Sequence, residues 1–219
     1  MGMLVHDRPR YSRAERISDG VVHVIGVAGA LMAVPVLITL TALRTTDTAA
    51  ITAACIYGVS LILMLLASAL YNMIDHPDWT DLLRRIDYSF IYFKIAGTYT
   101  PFALLAGGPA LYLLTGIWGA AFAGAGLRVF SPTGARWMGI AIYLAMGWAG
   151  VFAGSAFLSS MSLSVLILAV VGGVLYTLGL VVFLQERLRF HNTIWHVFVL
   201  AASVIFFIAI AMHMAQGAA

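Results

Sequence analysis

The sequence predicts an all-α integral membrane bundle of seven transmembrane helices, with the N-terminus in the cytoplasm and the C-terminus outside. Three observations predict it. The first is composition. Of 219 residues, 62% are hydrophobic and only 10% charged, and the mean hydropathy is +0.98. Soluble domains are about 45–50% apolar and about 25% charged. The second is segment length. Seven segments reach the roughly 20 apolar residues that a span requires: 20–42, 49–73, 86–106, 109–128, 135–155, 161–184 and 192–214. The third is charge asymmetry. With seven spans, Arg8, Arg10, Arg13, Arg16, Arg84, Arg85, Arg128, Arg136, Arg187 and Arg189 share one face, against Arg44 on the other. Positive charge is retained on the cytoplasmic side.

Residues 1–19 read as a cytoplasmic N-terminal tail. Its arginines alternate with Asp7, Glu15 and Asp19, and the apolar run that follows is of full spanning length, unlike a signal peptide. Residues 20–219 form the transmembrane domain. Pro35 bends the first span locally. The second runs unbroken to the turn HPDWTD. The third, within LLRRIDYSFIYFKIAGTYTPF, carries Asp87 at its start, Lys94 inside the apolar run and Pro101 near its end. Gly107, Gly108 and Pro109 separate it from the fourth, whose GIWGAAFAGAG string suits close helix packing. SPTG and a pair of serines bound the fifth. Trp137, Trp148 and Trp195 serve as interfacial or packing aromatics, and His76 and His191 read as exposed loop residues. Cys55, the single cysteine, excludes an internal disulfide and a cysteine-based zinc cluster.

The polar residues are not scattered. Asp19 and His23 on the first helix, Ser68, Tyr71 and Asn72 on the second, Asp87 and Tyr88 on the third, and Asn192 and His196 on the seventh all fall in the cytoplasmic leaflet. Asp19 and His23 are four apart, as are Ser68 and Asn72, so each pair shares a helix face. Ionisable groups at membrane depth face a bundle interior or cavity and mark function. Lys94 lies seven residues after Asp87 on the same face. Its chain can lean back toward the helix start, so an Asp87–Lys94 pair is expected.

Several strings carry a resemblance. ERISDGVVH (15–23), SALYN (68–72), LLRRIDYSFIYFKIAGTYTPF (82–102) and NTIWHVFVL (192–200) resemble, in order, the signatures of the hemolysin III family. That family groups with the progestin and adiponectin receptor (PAQR) proteins, and its bacterial members are described as membrane-homeostasis proteins. The resemblance implies a seven-helix bundle with a cytoplasmic-side zinc ion, three histidine ligands, and a serine and aspartate nearby. Such a site implies ceramidase-like hydrolysis of a lipid amide. Ser68 and Asp87 match the catalytic serine and aspartate, and His196 matches one ligand. Asn72 and Asn192 stand where the other two histidines are expected, no histidine lies near Phe206, and Asp19 replaces a common asparagine. A standard three-histidine zinc site therefore does not fit. A different metal site would draw on His23, Asp19 and Asp87 with His196, for a harder divalent ion; otherwise the Lys94 amine supplies the positive charge that a metal would place near Asp87 and Asp19, and no cofactor is expected.

Three functional classes follow. The first is a lipid-homeostasis or lipid-sensing protein whose partners are membrane lipids, with no role for nucleic acid. The second is a metal-dependent intramembrane hydrolase. The third is an ion- or proton-coupled transporter, against which stands the lack of a broken-helix repeat. Nothing reads as a secreted lytic pore. The expected location is a bacterial inner membrane.

Overall fold

The computed structural model describes residues 11–130 and 136–217. Arg8, Arg10 and the SPTG turn lie outside the described residues. Among the described residues every regular element is helical: α1 (Arg13–Arg44), α2 (Thr48–Met73), α3 (Pro77–Ala106), α4 (Ala110–Phe130), α5 (Arg136–Trp148), a 3₁₀ turn over Ala149–Phe152, the short α6 (Ser155–Ser159), α7 (Leu163–Phe183) and α8 (His191–Gly217). Each expected segment is helical over most of its length. Five helices, α1, α2, α4, α7 and α8, are both long and apolar enough to cross a membrane.

Two helices begin earlier than the apolar pattern alone indicates. α1 starts at Arg13 because Ser12 and Glu15 close a capping box: the Glu15 N–H bonds the Ser12 hydroxyl at 3.3 Å, and the Ser12 N–H bonds the Glu15 carboxylate at 2.8 Å. α3 starts at Pro77, so HPDWTD is a helix start rather than a loop, and Arg84 and Arg85 lie on the helix. Proline is tolerated in the first turn, where its missing N–H is not needed, and Asp78 there favours the helix dipole.

The fifth segment ends early as an α-helix, and Tyr99 of α3 supplies the reason. Its hydroxyl accepts from the Gly150 N–H at 2.8 Å and donates to the Gly147 carbonyl at 3.0 Å. Irregular backbone at membrane depth is tolerated only where protein satisfies its polar groups. One phenol satisfies two of them where α5 passes into the 3₁₀ turn.

The helices pack in chain order, α1 on α2, α2 on α3 and α3 on α4, and α8 closes the group by contacting both α7 and α1. α3 also touches α5, α6 and α8. Being surrounded by protein, it can carry Asp87 and Lys94 without exposing them to lipid. α1 buries one stripe, Asp19, His23, Gly26, Ala30, Val34, Leu37 and Thr41, at the three- and four-residue steps of a helix face. Its outer face, including Ile25, Met32, Val36 and Leu43, is exposed and apolar, as is that of α7 at Ile167, Val170, Leu178 and Val181. A water-facing helix would carry charge there; these faces suit lipid.

Close approach is decisive between α2 and α3. A Cβ on Gly97 would lie 2.0 Å from the Ser60 hydroxyl oxygen and 3.4 Å from the Ile56 carbonyl. The glycine of AGTYTPF therefore sets the spacing of the two helices that carry Ser68 and Asp87.

Candidate functional site

The expected polar layer forms around Asp19. One carboxylate oxygen lies 2.6 Å from His196 Nδ1. The other accepts from the Asn192 amide at 3.2 Å and lies 3.4 Å from His23 Nε2. An ionised carboxylate only accepts, so Nδ1 of a neutral His196 carries the proton and its Nε2 keeps a lone pair. The Asn192 amide also bonds Asn72 Oδ1 at 3.2 Å, and the Asn72 amide bonds the Ser68 carbonyl at 2.9 Å. The side chains at the two asparagine positions thus meet each other, and that of Asn192 also meets Asp19.

His23 and His196 stand with ring centroids 4.4 Å apart. His23 Nε2 is buried and makes no well-aligned hydrogen bond, its nearest polar neighbour being the Asp19 carboxylate at 3.4 Å. Asp19, His23 and His196 offer ligand atoms that all lie within 4.8 Å of one another. Two imidazoles and a carboxylate are a donor set that zinc accepts, and the His23 nitrogen already lies beside the carboxylate that would share such an ion. Asp87 is buried beside the Ser68 hydroxyl and within electrostatic range of His23. It stands apart from the ligand trio. Tyr71 and Tyr88 meet edge to face with centroids 6.2 Å apart.

Lys94 departs from expectation. Its ammonium does not reach back to Asp87 but donates to the Tyr176 hydroxyl, which in turn bonds Ser203 at 2.7 Å. It also lies over the Tyr176 and Phe206 rings, 4.2 and 5.1 Å from their centroids. Asp87 and Lys94 lie about 10 Å apart along the helix axis, whereas the Tyr176 hydroxyl on α7 is within hydrogen-bond reach of the amine. Two further expectations are corrected. His191 is buried, with Nδ1 against the Leu188 carbonyl at 3.1 Å. Arg128, counted with the arginines of the basic face, is buried at the end of α4, its guanidinium 5.4 Å from the Tyr88 ring centroid.

Both polar groups border one cavity of about 1370 Å³. At one end its wall holds Asp19, Asn72, Asp87, Asn192 and His196; farther along α3 it holds Lys94, with Tyr176 of α7; the rest of the lining is mostly apolar, with Trp148, Phe157 and Leu166 among a few hydroxyls such as Thr98 and Thr177. Tyr11 stands at the polar mouth, its ring 5.8 Å from that of His191. Burial pushes its phenol up to about 12, so it remains a hydrogen-bond donor at neutral pH.

The chain matches the model of the family described as "Haemolysin-III related" over residues 12–207. It belongs to the haemolysin III family. It is 35% identical over 200 residues to the "Hemolysin-3 homolog" of Bacillus subtilis (strain 168), covering 90% of this chain and 92% of the relative. It is 36% identical over 200 residues to the "Hemolysin-3" of Bacillus cereus, covering 90% of each. The haemolysin III match takes in every residue named around the cavity except Tyr11. With its lipid-facing apolar helices, this haemolysin III chain is an integral membrane protein.

Sequence reasoning missed the residues that hold the Asp19 network in register. The Glu15 carboxylate accepts from the Phe190 N–H at 3.0 Å, and Ser18 and Thr193 hydroxyls meet at 3.1 Å. Phe190 has φ of 62°, a conformation costing roughly 1–2 kcal/mol for a non-glycine residue. That bond from Glu15 helps hold it. Tyr176 and Ser203 were missed too, although each interrupts an apolar run and so left a readable signal.

Proposed function

We propose that this haemolysin III protein is a seven-span protein of a bacterial inner membrane that binds a membrane lipid and serves lipid sensing or membrane-lipid homeostasis. One observation carries the reading: a single cavity of about 1370 Å³ joins an apolar wall to the polar cluster around Asp19. Ligand sites are typically apolar clefts with a few convergent polar groups that fix orientation. A lipid has that polarity, with its tail along the apolar wall and its head at the hydrogen-bonding end. The arginine asymmetry supports a cytoplasmic N-terminus, and the resemblance to PAQR proteins supports the seven-span count. The test is mass spectrometry of lipids retained by the detergent-purified protein, followed by melting of delipidated protein against a panel of head groups. Retention of a defined lipid class that raises the melting temperature is expected. No retained lipid and no lipid-dependent shift would overturn the reading.

A second reading, a metal-dependent lipid amide hydrolase, is favoured by the trio Asp19, His23 and His196 and by a buried His23 nitrogen that makes no well-aligned hydrogen bond. These three residues would hold the ion, which when bound would supply an acidified water and an electrophile for the carbonyl. Asp87, with Ser68 beside it, would be the proton acceptor on the same cavity, and Asn192 would orient Asp19. Elemental mass spectrometry of protein purified without added metal, together with release of fatty acid from a ceramide, tests this reading. Stoichiometric zinc lost in His23→Ala and turnover lost in Asp87→Asn would support it, and metal-free protein without turnover would sink it.

A further inference from the structure

We propose that Lys94, with Tyr176, forms a second polar site in the cavity, deeper than the Asp19 network, that binds the anionic head group of a membrane lipid. The inference rests on the lipid-binding reading above and specifies the charge of the ligand.

The geometry is that of a built site. Lys94 is buried and borders the cavity, as do Tyr176 and Phe206. Its nitrogen donates to the Tyr176 hydroxyl, itself bonded to the buried Ser203. The Tyr176 and Phe206 rings stack with centroids 6.0 Å apart and present their faces to the amine. Aromatic faces attract a cation and stabilise its charged form. Phe206 holds its place because Gly172 has no side chain; a Cβ there would come within 2.6 Å of the ring. Three helices, α3, α7 and α8, thus converge on one amine.

What the site lacks is a counter-charge. Among the described residues no carboxylate forms an ion pair with Lys94. Asp19 is engaged with His196, and Asp87 lies about 10 Å away along α3. A buried charge is paired or it is costly, and an ammonium has three donors of which Tyr176 takes one. An anion entering the cavity would accept the remaining donors and neutralise the charge. Because the surrounding wall is apolar and the protein lies in a membrane, that anion is the head of an amphiphile. A carboxylate and a phosphate monoester share the chemistry.

The experiment uses the full chain in detergent. Binding of an 18-carbon fatty carboxylate is compared with the alcohol of the same chain, and of a lysophosphatidate with the matching monoacylglycerol. The inference expects the wild type to prefer at least one anion over its neutral partner by about tenfold or more, equivalent to about 1.4 kcal/mol. Lys94→Met should abolish the preference and Lys94→Arg should keep it. The pair that shows the preference identifies the head group. Should Lys94→Met fail to fold, a fatty carboxylate with a photoreactive group near its head, bound to wild type, replaces it. Labelling of residues 94–98 and 203–206 supports the inference, and labelling confined to the peptides of Asp19 and His196 overturns it. Equal binding of anion and neutral partner by wild type, or a preference that survives Lys94→Met, also overturns it while leaving the lipid reading intact. Absence of binding by any of the four overturns the lipid reading itself.

Discussion

Asp19 and His196 meet at 2.6 Å although 177 positions of sequence separate them. The contact joins the N-terminal part of α1 to the start of α8 and so closes that end of the bundle. Removing Asp19 leaves the buried His196 Nδ1–H and the Asn192 amide without their acceptor, at a cost of about 1–3 kcal/mol each. Asp19→Ala is therefore expected to lower the melting temperature markedly in detergent. A double-mutant cycle with His196→Ala should return a clear coupling energy; additive single effects would show that the pair is not coupled.

Asn72 and Asn192 bond to each other, and Asn192 also bonds Asp19. An amide oxygen is a weak zinc donor, whereas imidazole is a good one. Asn72→His together with Asn192→His should increase the zinc that survives a chelator wash, as counted by elemental mass spectrometry. Unchanged retention would mean that the two positions do not share a coordination sphere with His196.

Gly97→Ala should destabilise the bundle by about 1–3 kcal/mol, the usual penalty of overpacking. The new methyl would strike Ser60, whose hydroxyl bonds the Tyr57 carbonyl at 2.8 Å. Adding Ser60→Ala should recover part of the loss in thermal melts, because the nearest clashing atom is the serine oxygen. No recovery would place the strain in the backbone.

Tyr99→Phe removes the one group that serves both Gly147 and Gly150. Backbone groups left unsatisfied away from water cost roughly 1–3 kcal/mol each. Hydrogen exchange over residues 147–153 should accelerate, with α1 and α2 unchanged. Uniform acceleration across the chain would show that Tyr99 supports the whole fold and not this break alone.

The proposed topology is checked by reporter fusions. A cytoplasm-dependent reporter should be active on the N-terminus and inactive on the C-terminus. Activity at both ends would require an even number of spans.

Much of this was legible in the chain. The inward stripe of α1, from Asp19 through Thr41, has the spacing of a helix face, and the same spacing groups Ser68 with Asn72. Once helical period and charge asymmetry are read, four helices bring their polar residues to one level. Helix starts were less legible, because hydropathy does not register a capping box such as Ser12–Glu15 or a proline start such as Pro77. The partner of Lys94 was misjudged because spacing within α3 favoured Asp87, whereas the amine turned to a hydroxyl on α7.

The sequence alone determined the class of molecule: apolar content, run lengths and the positions of arginine admit few alternatives to a helical membrane protein. It also determined which residues are polar at depth, since burying them is too costly to be accidental. Only the tertiary structure decided their partners. Asp19 faces His196 and Lys94 faces Tyr176 because helices far apart in sequence are packed side by side, and local periodicity carries no information about which neighbouring helix a face will meet.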